Sequence, residues 1–265
     1  MGSAAVAGGA EVAEVRVGTS GWSYDHWEHV LYPPGLAVRD RLPGYVAAFG
    51  PGPPHGTVEL NASFYRWPRP TTWASWSRRL PKGFRLSAKA PRGLTHGKRL
   101  YAPEAWVERI CAGWHELGER RGTLLLQLPA DHARDDARLA YVLDRFPSWV
   151  GLAVELRHPS WVDDAVFDLL AERGVSSCVM SGAGLPCELR ATAHLVYLRL
   201  HGPDPHHLYA GGYPEADLRW WADRVGEWRA AGHAVHAFFN NDGHGHAVRD
   251  ARRLAELCGR PALGG

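Results

Sequence analysis

The chain has 265 residues, 45% hydrophobic and 22% charged, with a formal net charge of +2. That length can bury a large core, and the mild charge balance excludes a protein that wraps nucleic acid by bulk electrostatics. No run approaches the roughly 20 apolar residues of a membrane-spanning helix, and the opening residues lack the basic and apolar regions of a secretory signal. Cys111, Cys178, Cys187 and Cys258 stand far apart with no Cys-x-x-Cys pair. This suggests neither a zinc cage nor a disulfide framework, and fits a reducing cytoplasm.

Residues 1–14, rich in Ala and Gly, read as a disordered tail, and residues 15–260 as a single domain without linker or repeat. Eight β-type runs follow in order, at 15–19, 57–61, 84–89, 123–128, 151–157, 175–181, 195–201 and 234–240. Helical spacing fills the intervals. Within 103–122, Trp106, Val107, Ile110, Trp114 and Leu117 form an apolar stripe that Gly122 ends. The segments 162–174 and 215–232 each carry acids in the first turn and a terminal Gly, as the helix dipole and C-cap favour. The helix signal is weakest at 185–192, between the sixth and seventh runs. Eight strands alternating with helices predict an α/β fold, a single (β/α)8 TIM-type barrel. An open doubly wound sheet competes, but no phosphate-cradling Gly-x-Gly-x-x-Gly follows any strand. Most of the twelve Trp are expected to anchor helices on the barrel, with a minority at a pocket mouth placed to stack on a ring or sugar.

Several stretches together resemble the YecE-like family, domain of unknown function 72: "VGTSGWSYDHW…YPPG", "VELNASFYRWP…GFRLSAKAPRGLTH", "LLLQLP", "VELRHPSW", "VYLRLHGP…YAGGY" and "FFNNDGHGHAVRDA". They span nearly the whole chain in the family's order. The resemblance implies a TIM-type barrel and no agreed activity. The stretch "CVMSGAGLP" departs from the pattern, which has an Asp near Ser181 or Gly182.

In a barrel, alternate strand residues face the interior. With the apolar set assigned outward, the interior receives Glu59 and Asn61; Arg85, Ser87 and Lys89; Gln127; Glu155 and Arg157; Arg199 and His201; and His236, Phe238 and Asn240. Barrel interiors are usually branched and apolar. A single buried carboxylate beside a cation is often an ion pair kept for geometry. So many ionisable groups at strand C-termini, where barrel active sites sit, point instead to a ligand. Phe64, Tyr65 and Trp67 wall the exit of the second strand. Arg92, His96, Lys98 and Arg99 overhang the mouth, whereas Arg78, Arg79 and Lys82 precede the third strand and read as a solvated face at the other end.

The cations outnumber the acids, so a small anionic ligand, phosphate or carboxylate, is the expected partner. Asn241, Asp242 and Gly243 lie where the eighth strand leads into a helix, a favoured phosphate position, and inward-facing Asn240 joins them as a ligand contact; Gly18 and Gly21 offer backbone N–H groups. Glu59 and Glu155 are the leading acid/base pair. Lys89 is an alternative as a Schiff-base lysine, and His158 and His201 are further proton-transfer candidates. Glu59, Glu155, His201 and Asp242 form a conceivable divalent-metal set, disfavoured by the adjacent cations. The reading is an enzyme acting by acid/base chemistry on a small anionic substrate at the barrel mouth, with hydrolase, lyase and isomerase equally open. The alternatives are a nucleic-acid-binding protein or nuclease, gripping a backbone with its basic loop, and a non-catalytic ligand-binding barrel.

Overall fold

A computed structural model describes residues 13–50 and 56–259. The expected tail therefore lies, through residue 12, outside the described residues. Ala13 and Glu14 are engaged: their carbonyls accept from Arg229 Nε at 3.2 Å and from the Val235 N–H at 2.8 Å.

The eight strands are β1 (Val15–Thr19), β2 (Thr57–Leu60), β3 (Arg85–Lys89), β4 (Arg121–Gln127), β5 (Leu152–Glu155), β6 (Ser176–Ser181), β7 (Leu195–Leu200) and β8 (Ala234–Phe239). They are joined by α1 (Val38–Phe49), α2 (Pro70–Arg79), α3 (Glu104–Trp114), α4 (Asp136–Leu143), α5 (Asp164–Glu172), α6 (Glu215–Ala230) and α7 (His246–Leu257). Every strand pairing is parallel, in the order β1-β8-β7-β6-β5-β4-β3-β2. The result is a nearly closed (β/α)8 barrel. Its two ends, β1 and β2, meet without a ladder; the Gly21 N–H donates to Glu59 O at 2.7 Å, beside an isolated bridge between Ser20 and Glu59.

Two local expectations are corrected. The stripe in 103–122 does not run as one helix to Gly122, because Gly118 at φ +53° breaks it. A 3-10 segment, His115–Arg120, follows α3, and Gly122 lies inside β4. Between β6 and β7 the described residues contain no helix, and a loop crosses that face. It has Gly182, Gly184 and Pro186 within a few residues, poor material for a helical turn.

Tryptophans anchor the outer core, as expected. Trp67, Trp73 and Trp114 are buried together, with Trp73 and Trp114 edge to face at 5.3 Å. Inside the barrel a separate apolar plug of Leu125, Ala153, Cys178, Tyr197 and Phe238 fills the middle layer. Polar residues sit above it, towards the strand C-termini. A second buried polar group, with Arg16 and His236, lies towards the opposite end.

Closure at the β1–β2 seam depends on Gly18. A Cβ there would come within 2.1 Å of Thr57 O on β2, so the expected role of this glycine near a ligand gives way to one of close backbone approach. Gly18→Ala is expected to lower the free energy of unfolding by about 1–3 kcal/mol, the usual cost of overpacking. Chemical denaturation checks this, and wild-type stability in the variant would refute the seam as tight.

Candidate active site at the barrel mouth

The residue that organises the interior is Arg199 on β7, fully buried between two buried carboxylates. Its Nη2 donates to Glu59 Oε1 at 2.8 Å, and its Nη1 donates to Glu155 Oε2. All four carboxylate oxygens are occupied. Ser20 Oγ donates to Glu59 Oε1 at 2.8 Å and the Tyr197 hydroxyl to Glu59 Oε2 at 2.7 Å. Gln127 Nε2 and Arg157 Nε donate to Glu155 Oε1 at 2.9 and 2.6 Å. Burial pushes the Glu155 carboxyl up, but Arg199 and Arg157 outweigh it and hold the group well below the usual carboxylate range.

One layer outward the groups become accessible. Asn61 Nδ2 donates to Asn240 Oδ1 at 3.2 Å, and Asn240 Nδ2 lies 3.2 Å from His201 Nδ1. Burial, then Arg199, lower the His201 pKa to about 4, so the imidazole is neutral at pH 7. Lys89, the last residue of β3, holds its ammonium 3.9 Å from the ring centroid of Phe64. Among the described residues no carboxylate lies within ion-pair distance of it. Burial first and Arg199 second lower its pKa to about 8.

A cavity of about 400 Å³ opens at this point, bounded by Lys89, Asn61, Tyr65, Asn240, Asp242 and Tyr209, among others. Asp242 is the single carboxylate on its wall. The Trp27 Nε1–H donates to Asp242 Oδ1 at 2.7 Å, and His26 Nε2 lies 3.2 Å from Oδ2. Burial nevertheless raises the Asp242 pKa above its ordinary value. Tyr209, at φ +71°, accepts from Arg157 Nη2 at 3.2 Å and meets the His201 ring edge-on.

The expected site residues thus separate into three groups. Asn61, Tyr65, Lys89, Asn240 and Asp242 share the mouth cavity. Glu59, Gln127, Glu155, Arg199 and His201 are buried beneath it, with Arg157 partly so. The rest lie apart. Asn241 turns outward, its Nδ2 donating to Gly211 O and Asp250 Oδ2 at 2.9 and 2.7 Å. His158 Nδ1 accepts the Ser160 N–H at 3.1 Å and caps a short 3-10 turn. Arg92 is exposed at the start of the turn after β3. His96 packs edge-on against Phe64, with its pKa lowered to about 4 by burial and by Lys89.

Among the described residues no cluster of His, Cys, Asp and Glu converges as a metal-binding set. Glu59 and Glu155 already hold a guanidinium between them. At Gly182, where the family resemblance implies an Asp nearby, an added Cβ would lie 2.7 Å from Leu208 Cδ1 and 2.9 Å from His201 Cβ. Tyr197 could have been found from sequence, since it shares the alternation of Arg199 and His201. Tyr209 and Tyr24, which also lines the cavity, come from loops, where no periodicity marks them.

A family profile described as "Protein of unknown function DUF72" matches residues 16–263. The UPF0759 protein YunF of Bacillus subtilis (strain 168) is 24% identical over 288 aligned positions, covering 92% of this chain and 94% of YunF. The crystal structure of a DUF72 family protein from Thermotoga maritima MSB8 superposes with a TM-score of 0.82 at 26% identity, over 93% of this chain and 100% of that one. A DUF72 family protein from Enterococcus faecalis V583 gives a TM-score of 0.80 at 18% identity, over 95% and 98% of the two chains, and shares the fold.

Two stability measurements check this arrangement. Glu155→Gln leaves Arg199 and Arg157 facing one buried carboxylate and is expected to lower stability by about 3–5 kcal/mol; a neutral effect would show the pair to be screened. Lys89→Met should instead stabilise the fold. The depressed pKa means the folded state disfavours the ammonium fully below about pH 8, and that penalty fades as pH rises towards 10.5. The variant's advantage in urea titrations should therefore narrow over that window; a constant gap would contradict the burial of the amine.

Proposed function

Because this chain belongs to the DUF72 family, uncharacterised proteins with a TIM-barrel-like fold, we propose a function from its mouth chemistry: an enzyme that moves a proton on a small anionic substrate. One observation carries the reading. Lys89 presents an ammonium without a carboxylate partner to an open cavity at a strand C-terminus, where barrel enzymes place their reacting groups. Arg199 and Arg157 are matched by Glu59 and Glu155, and Asp242 is engaged by Trp27 and His26, so Lys89 is left to pair with a phosphate or carboxylate.

The acid/base roles fall to the groups on the cavity wall. Lys89, with its pKa lowered to about 8, is protonated at neutral pH yet can give up its proton readily. It anchors the anion and donates to the oxygen where negative charge develops. Asp242, on the same cavity wall and with its pKa raised, accepts a proton from the substrate. The amides of Asn61 and Asn240, each donating or accepting within a fixed chain to His201, orient polar substituents. Glu59 and Glu155 act through Arg199, holding the charge landscape beneath the reacting groups in place.

A panel of phosphorylated and carboxylated metabolites tests the reading. Turnover should fall at least about 100-fold in Lys89→Met and in Asp242→Asn, in line with the usual worth of a positioned acid or base. In the wild type kcat/KM should decline as pH rises through about 8, as Lys89 loses its proton, and Lys89→Arg should abolish that alkaline limb. Wild-type turnover in Lys89→Met, or a preference for uncharged metabolites, would overturn the assignment.

A further inference from the structure

A second cavity lies beside the mouth, outside the barrel wall. It is a groove of about 880 Å³ between the N-terminal half of α1 and one face of α2, over the β1–β2 seam. α2 packs on α3 and on the 3-10 segment before β4, and the groove occupies the space on its other side. Arg39 of α1 and Arg66, Arg69 and Arg79 from the α2 side line it, and no carboxylate does. Arg66 and Arg69 are exposed and have no ion-pair partner among the described residues. Arg39 reaches only its neighbour Asp40, at 3.6 Å, and Arg79 donates to Arg39 O. Arg79 is exposed, as expected from sequence, and also lines this groove.

Two further features select the ligand. Trp22 and Trp76 line the groove edge to face, centroids 5.4 Å apart, giving it an indole wall beside the arginines. Planar guanidinium forks match phosphate oxygens, and indole surfaces match a flat ring. The N-termini of α1 and α2, with no side-chain cap on either, also open here, adding partial positive charge. Tyr24 and Asn61 line both this groove and the mouth cavity, so the two spaces adjoin.

We infer that the groove binds the nucleoside-phosphate part of an elongated substrate whose other end reaches Lys89. A volume of about 880 Å³ is that of a small-molecule site, and the net charge of +2 favours a single nucleotide unit over a polyanionic strand. The claim that groove and mouth serve one substrate rests on the proposed function; nucleotide binding in the groove does not.

Calorimetric titration with ADP, adenosine and inorganic phosphate tests the inference. ADP should bind at least about tenfold more tightly than either fragment, since ring and phosphate are both recognised. The double variant Arg66→Gln/Arg69→Gln, exposed and unpaired and so harmless to folding, should weaken ADP at least about tenfold. Lys89→Met should leave ADP binding intact, so that loss of turnover in that variant reports on the mouth alone. Absent ADP binding, an affinity untouched by the double substitution, or a single-stranded oligonucleotide that binds more tightly with a steep salt dependence would each overturn the nucleotide assignment.

Discussion

The structure depends on one guanidinium held between two carboxylates inside a barrel. Arg199, Glu59 and Glu155 come from β7, β2 and β5, no two of which are neighbours in the sheet. Each ion alone would be costly to bury, and each is acceptable only because the other two are present and their remaining oxygens accept from Ser20, Tyr197, Gln127 and Arg157. Such a group has little freedom to move, which suits a floor better than a reacting centre.

What stands on that floor has the opposite character. Lys89 is close enough to Arg199 to have its ammonium disfavoured, yet far enough from both carboxylates to remain unpaired. The same arrangement that stabilises the deep layer therefore creates tension one layer up. Stability and binding capacity are separated by depth: a plug of Leu125, Tyr197 and Phe238 at the middle of the barrel, a neutralised ion layer above it, and polar groups with open valences at the top.

Much of this was legible in the chain. Alternation along each strand is a property of the backbone, so Glu59, Glu155, Arg199 and Lys89 could be placed inside from their spacing alone. Alternation does not say which inward charges meet. The commitment of both glutamates to Arg199 follows from barrel geometry, and it moved the candidate proton-transfer groups from Glu59 and Glu155 to Lys89 and Asp242. Loops carry no period, so nothing in the sequence marks Tyr24 and Tyr209 or shows that past the strand end Asn240 faces the mouth while Asn241 turns to Gly211 and Asp250. The arginine groove escaped for another reason: its cations come from α1, from the turn after β2 and from α2, and no single segment displays them as a cluster.

The unladdered seam has a mechanical consequence. Seven of the eight junctions between neighbouring strands are hydrogen-bonded ladders, whereas β1 and β2 share one bridge, one backbone hydrogen bond and the bare flank of Gly18. Side chains complete the contact: Ser20 donates to Glu59, and the Tyr45 hydroxyl accepts from the Thr19 N–H and donates to Thr57 O. Local opening costs least where the fewest backbone hydrogen bonds must break, and in this barrel those positions fall on one line down the wall. That line runs beneath the arginine groove and up to the rim of the mouth. A molecule lodged across it would clasp the two lips together, so occupancy and the rigidity of the whole barrel would rise in step.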